Sequence, residues 1–473
     1  MLTLFTQNPE LKRYSCLEIK INKIIILFAI ITLIYLTAYS LSWTAFHLSY
    51  ISISLFHILV SLWGSKEISS ALPDEVNEKT WDRQCMTGLS PLKLTIGKLI
   101  GPALFQWIGG LVVLIIGVIA TLSEGNGSNG ILQIINTLLI GMLFNMMALL
   151  SSLIIVSGER LSSFSNKKIK TGFFIFIIII GYSFITTFFR IAGWGGMLFN
   201  FTDNESGTGG TYWYNISFNP VVFQIFSLIF FCIWLMIGNF QSMRRELKYI
   251  NNNNLLWLFI ITMVIYCFGL GFNPLFKLKE CILLGWFAAS SFILIVTYFL
   301  MISERENIIE VKKIFSKNPY LLLKKPTDNS PAWHVFIVSS IILLITGMLL
   351  FYTHNFDDES RWTDLLLLFA GSIDIKNQSV LFIFCILLLM LRDLYITRYI
   401  NYFSNFNNKQ LAIIIYFATI YGLLPVLFKT AGLVMLLLPS FLDPLYISII
   451  SITFQVIIAA IFFGMQLKKN FRD

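Results

Sequence analysis

Charge is scarce in this sequence. Asp, Glu, Lys and Arg make up 12% of its 473 residues, against about 25% in soluble domains. So few charged side chains cannot cover the surface of a soluble protein of this length, which excludes a soluble enzyme and a disordered chain. Basic residues outnumber acidic ones, 34 to 25. They recur in short clusters between apolar runs and never gather into the single patch that a nucleic-acid surface needs. The six cysteines lie far apart, with no C-x-x-C pair and no zinc-like spacing, so neither a metal nor a disulfide framework is indicated. Histidine is equally sparse. His47 and His57 are too far apart to share a helix face, and His334 and His354 stand at opposite ends of one apolar run.

Long apolar runs are what the chain has in abundance, with 56% hydrophobic residues and 44 Phe. A helix crosses a bilayer with about 20 mostly apolar residues. Twelve segments qualify: 24–43, 46–64, 95–122, 131–157, 171–189, 220–240, 255–273, 281–302, 333–352, 378–397, 409–428 and 445–466. The expected fold is therefore an all-α integral membrane protein with twelve transmembrane helices. Basic loops mark the cytoplasmic side. With both termini cytoplasmic, only Arg190, Lys277, Lys279, Arg361, Lys376 and Lys429 fall on outside segments. Heavy use of Asn, Ile and Lys points to an AT-rich bacterial genome, and so to the bacterial inner membrane.

An internal repeat follows. Tyr182, Phe189, Ala192 and Gly193 near the end of the fifth span match Tyr421, Phe428, Ala431 and Gly432 near the end of the eleventh. The offset is constant, and Arg190 is replaced by Lys429. Asn219-Pro220 and Asp443-Pro444 then open the sixth and twelfth spans. Each half also begins with a basic, partly amphipathic stretch, at 8–23 and 241–254. The chain reads as two parallel six-helix repeats, 1–250 and 251–473.

The longest cytoplasmic interruption of the first half lies between spans two and three. Glu78 to Leu89 has the composition of a short helix, with Trp81, Cys85 and Leu89 on one face and Lys79, Arg83 and Thr87 elsewhere. Ser90-Pro91 then reads as an N-cap followed by proline at the first helical position. Gly97-Lys98 is followed by Leu99, not Ser or Thr, so it is not a phosphate cradle.

This segment resembles the cytoplasmic loop of ABC-2-type transporter permeases. That loop has an acidic residue, a Thr, a helix ending in Leu-Ser-Pro, and Gly-Lys-x-x-Gly, here Glu78, Thr80, Leu89-Ser90-Pro91 and Gly97-Lys98-Leu-Ile-Gly101. The resemblance implies a coupling helix at about 77–90 that fits a cleft on a separate ATP-hydrolysing subunit. Its partner-binding residues would be Asn77, Glu78, Lys79, Thr80, Trp81, Asp82, Arg83, Gln84, Thr87, Leu89, Ser90, Pro91, Gly97 and Lys98. It also implies an amphipathic elbow helix within 8–23 and a re-entrant hairpin within 191–218. ATP and Mg would then sit on two copies of the partner ATPase, and this chain would hold no cofactor and perform no bond chemistry. The expected function is export of a lipid, polysaccharide, drug or peptide. In the second half, Glu304, Arg305, Glu306 and Glu310 keep helical spacing but lack Leu-Ser-Pro. Arg190 and Lys429 are candidates for the substrate path, with interfacial anchoring among membrane lipids as the plainer role.

Two rival readings remain. A secondary transporter driven by an ion gradient would need charge inside its spans. Arg392 and Asp393 are the nearest instance, placed by the expected boundaries near the cytoplasmic end of the tenth. A membrane glycosyltransferase or polymer ligase would need a carboxylate or histidine cluster outside, where only Asp357, Asp358, Glu359 and Asp364 are available.

Overall fold

The computed structural model describes residues 8–40, 44–86, 88–123, 127–159, 211–247, 249, 254–272, 274, 278–303, 332–353, 375–403, 409–429, 434–439 and 445–472. Ten helices among them are long and apolar enough to cross a membrane. The eleventh expected segment is a shorter apolar helix, Ala412–Phe428. The fifth, at 171–189, lies outside the described residues. The chain divides into two compact units at Asn251–Asn252, except that Tyr212–Ile216 belongs to the second.

In the first unit, α1 (Pro9–Glu18) is followed by the first long apolar helix, α2 (Ile21–Ser40). Helix α3 (Ala45–Phe56) continues through a π-helical segment, His57–Gly64, into α4 (Ser65–Asn77). The second span therefore runs well past residue 64, its expected end. A π turn widens the helix and displaces backbone bonds. Here the Asn145 amide group donates to the Val60 carbonyl at 3.1 Å, and its oxygen accepts from Trp107 Nε1 at 2.9 Å.

Short helices α5 (Trp81–Met86) and α6 (Pro91–Ile100) precede α7 (Leu104–Ser123). The third span thus begins at Leu104 and not at residue 95. Pro102 explains the break, because it lacks an N–H and disfavours helix in the residue before it. Helix α8 (Gly127–Glu159) leads to a hairpin of β1 (Thr211–Trp213) and β2 (Ile216–Phe218), and α9 (Pro220–Glu246) follows. Tyr214 and Asn215 turn that hairpin at φ 49° and 63°, the left-handed pair that a tight hairpin requires. Asn219 caps α9, and Arg244 and Arg245 close its last turn, where cations suit the helix dipole. That helix absorbs the start of the expected amphipathic stretch at 241–254.

Two cores hold this unit. Leu27, Ile31, Phe56, Val60, Val113 and Leu114 pack together. Ile68, Leu72, Trp81, Leu94, Leu149, Leu228 and Met243 form the second, joining the short helices to α4, α8 and α9.

The second unit contains α10 (Asn254–Gly271), α11 (Leu278–Ser303), α12 (Ala332–Thr353) and α13 (Ile375–Phe403). Next come α14 (Lys409–Phe417), a second π segment at Ala418–Leu423, α15 (Leu424–Lys429), a 3-10 turn at Val434–Leu436 and α16 (Leu445–Arg472). Its cores run from Ile260, Ile293 and Phe336 to Cys385, Leu388 and Ile452.

Candidate functional site

The segment between the second and third spans is built outward from Glu75. Helix α4 ends at Asn77, and Lys79 takes a left-handed φ of 57°. That turn stops the helix expected to start at Glu78, so α5 begins only at Trp81. Thr80 is tied back by its N–H and its hydroxyl, both donating to the Glu75 carbonyl at 2.9 and 3.1 Å. Gly88 at φ 65° turns the chain again after α5. Ser90 then caps α6 by accepting from the Lys93 N–H, with Pro91 at the first position.

Two faces result. Trp81, Gln84, Gly97 and Lys98 are buried, and Thr80, Cys85, Leu89 and Pro91 are half-buried. Cys85 and Leu89 pack against the core that contains Trp81. Asn77, Glu78, Lys79, Asp82, Arg83 and Ser90 are exposed, and Met86 stands 85% exposed among them. Thr87 lies outside the described residues.

Lys98 belongs to an ion cluster whose other members the sequence does not advertise. Its ammonium contacts Glu75 Oε2 and lies 3.4 Å from Glu10 Oε2. The Arg13 guanidinium bridges the same two carboxylates, at 3.2 Å from Glu10. Tyr14 donates its hydroxyl to Glu75 Oε1 at 2.8 Å. The rings of Tyr14 and Trp81 lie 5.4 and 5.6 Å from the ammonium, within cation–π range.

Helix α1 delivers Glu10, Arg13 and Tyr14 from one face. Asn8 caps it by accepting from the Glu10 N–H, and donates to the Lys93 carbonyl at 2.8 Å. Glycine on α6 is what permits the approach. A Cβ at Gly97 would strike Glu10, and one at Gly101 would strike Tyr14. Gly-Lys-x-x-Gly thus docks α1 on α6, and Lys98 is 1% exposed in that contact.

The electrostatics follow the packing. Burial lowers the Lys98 pKa, outweighing the opposing pull of Glu75 and Glu10. Burial would also lower that of Arg13, but the hydrogen bond and charge of Glu75 and the charge of Glu10 raise it overall. The Tyr14 phenol is raised by burial first and by the Glu75 charge second.

A second cluster lies in the other unit. Asp393 accepts from Tyr416 at 2.6 Å and Arg392 Nε at 3.0 Å on one oxygen, and from Tyr298 at 3.0 Å and Tyr421 on the other. Arg392 also donates to Gln455 at 2.8 Å and to the Tyr421 oxygen at 3.0 Å. Arg392 and Asp393 are fully buried, in a candidate span covering Ser379–Asn401. They fall nearer the middle of that candidate span than either end. The helix runs on past residue 397 to Phe403, with Thr397 and Asn401 buried.

Lys429 ends α15, its side chain being outside the described residues, as are Arg190, Glu304, Arg305, Glu306 and Glu310 in full. Among the described residues no group of His, Cys, Asp and Glu could hold a metal ion. No protein family, curated protein or solved structure matches the chain.

Proposed function

We propose that the chain is the membrane permease subunit of an ABC-2-type transporter, exporting a lipid, polysaccharide, drug or peptide and driven by a separate ATPase. The observation that carries this reading is the two-faced segment at 77–91. Its charged outer face, with Asp82, Arg83 and the protruding Met86, suits insertion into a cleft on a partner. Its inner face ties Thr80 and Trp81 to Glu75 and Lys98, so a push on α5 is felt by α1, α4 and α6. Lys98 is engaged by two carboxylates, and ATP and Mg belong on the partner, present in two copies. The same reading puts the segment and both termini on the cytoplasmic side of a bacterial inner membrane, with twelve spans in two parallel repeats.

One observation favours a second reading. Charge buried within a span is costly and marks ion or substrate pathways, so the Arg392–Asp393 pair supports a secondary transporter driven by an ion gradient. Affinity purification of the tagged, detergent-solubilised chain from its host, followed by an ATPase assay, separates the two. The expected result is a co-purifying ATPase that is lost in the combined Glu78→Lys, Asp82→Lys and Met86→Glu variant. A chain that emerges without ATPase activity sinks the first reading and leaves the second.

A further inference from the structure

The π segment at Ala418–Leu423 and the Arg392–Asp393 cluster explain one another. Tyr416 and Tyr421 are five residues apart, and both hydroxyls reach the same carboxylate. An α-helix advances about 100° per residue and would point two such side chains about 140° apart. A π turn, with its i to i+5 bonds, brings them onto one face. That bond is present here, from the Leu424 N–H to the Thr419 carbonyl.

The sequence supplies the means to widen the helix. Pro425 has no N–H to offer the Tyr421 carbonyl four residues before it, and its ring crowds that carbonyl. Thr419 returns its hydroxyl to the Ile415 and Tyr416 carbonyls. Such side-chain bonds loosen and bend helices.

Besides Pro425 and Thr419, the segment is held by the Tyr421 ring, which stacks on Phe417 and lies 5.5 Å from the Arg392 guanidinium. None of Ala418–Leu423 is buried, and a Cβ added to Gly422 would meet no atom within 4 Å. Apolar packing, with Thr419, Ile420 and Tyr421 half-buried, therefore constrains the register only weakly. Pro425 makes the π register accessible, and the tyrosine pair on Asp393 holds it. If Tyr421 leaves, Asp393 keeps Tyr416, Tyr298 and Arg392, and Arg392 keeps Asp393 and Gln455. Neither charge is orphaned, so release does not require exposing an ion to lipid.

We propose that residues 409–429 form a two-register helix in which the Arg392–Asp393 pair latches the π register through Tyr421. In the other register Ala418–Leu423 runs as α-helix. Tyr421 swings off the carboxylate, and Leu424–Lys429 turns by about 100°, one residue's worth of rotation. The device is a property of this chain alone and does not depend on an ATPase partner.

The test reads rotation directly. Single cysteines at 424, 426, 427 and 428 are placed in a Cys16→Ser, Cys85→Ser background, and a fluorophore on each is quenched by brominated lipid in nanodiscs. Val426 and Leu427 are exposed in the π register, so they should quench most strongly. In Tyr421→Phe the quenching pattern should move by one residue. Deleting Ala418 puts the tyrosines four apart, so that an ordinary α-helix presents both to Asp393. That deletion should leave the wild-type pattern, and adding Tyr421→Phe to it should then change nothing. An unmoved pattern in Tyr421→Phe overturns the proposal, as does a shift that persists in the deletion background. Should Tyr421→Phe not fold, Gly422→Ala favours the α register and is read the same way.

Discussion

Each unit of this protein buries an acid beside a base and ties at least one tyrosine to the acid, but the two clusters are assembled in different ways. In the first, Glu10 and Arg13 come from α1, Glu75 from α4 and Lys98 from α6. Glu10 and Arg13 pair within α1, but Glu75 and Lys98 meet each other and that pair only when three helices dock. In the second, Arg392 and Asp393 are neighbours on one helix and bond each other directly. Tyrosines and Gln455 are added from other helices, but the charge is already neutralised within α13. Burying an isolated ion in a membrane is costly, and pairing relieves much of that cost. The second arrangement lets a span carry its pair into the bilayer as one neutral unit. The first fits the end of a span, where docking and charge neutralisation occur together.

This difference gives the largest expected effect. Asp393→Leu leaves Arg392 buried inside a span without its counter-charge, a change that costs about 3–5 kcal/mol. Replacing both, as Arg392→Met with Asp393→Leu, should recover most of that loss, because no ion then remains to be compensated. Thermal unfolding of the detergent-solubilised chain measures each step. A double variant no more stable than Asp393→Leu would show that the pair is not self-contained, and the contrast between the clusters would fall.

A smaller effect is expected from Lys98→Met, about 3 kcal/mol, since Arg13 remains to offset both carboxylates. Its signature is local. Hydrogen exchange in Pro9–Glu18 should rise at least tenfold, because the ammonium that holds α1 on α6 is gone, while α13 keeps its protection. In Asp393→Leu the order reverses, with α1 unchanged. Equal loosening of both helices in either variant would contradict separate clusters.

How far the sequence announces this architecture depends on the range of the interaction. Apolar runs place the long helices, and Ser90-Pro91 marks the start of α6, because each signal lies within one helix. The face shared by Trp81, Cys85 and Leu89 is also visible as a spacing. The bounds of α5 are not, since they depend on left-handed turns at Lys79 and Gly88. Glu75 and Lys98 are 23 positions apart and meet only through tertiary packing, so the sequence alone does not show that the glycines of Gly-Lys-x-x-Gly make room for Glu10 and Tyr14. Asp393 and Tyr421 were each visible. Their meeting was not, because ordinary helical periodicity puts Tyr416 and Tyr421 on different faces and only the π segment reunites them. Gly422 and Pro425 were the available hint. The matched stretch from Tyr182 has neither residue at the corresponding positions, and α8, the fourth long apolar helix, carries no charge before Glu159.

The smallest expected effect sharpens the first cluster by pH. The Tyr14 phenol is raised above its ordinary value of about 10. The folded chain therefore holds that proton where the unfolded chain releases it. The stability linked to this proton is complete below about pH 10 and is lost as pH rises through the raised value, by at most about 1.4 kcal/mol per pH unit. Lys98 acts in the opposite sense, since its lowered pKa makes the folded state bind fewer protons below about 10.5. Tyr14→Phe removes the first contribution and leaves the second, so the stability advantage of the wild type over Tyr14→Phe should be constant from pH 7 to 9 and shrink between pH 10 and 11. Thermal unfolding of both proteins across that range measures it. An advantage that stays level to pH 11 would mean the phenol is not buried beside Glu75, and that α1 is docked by the glycine contacts without help from the tyrosine.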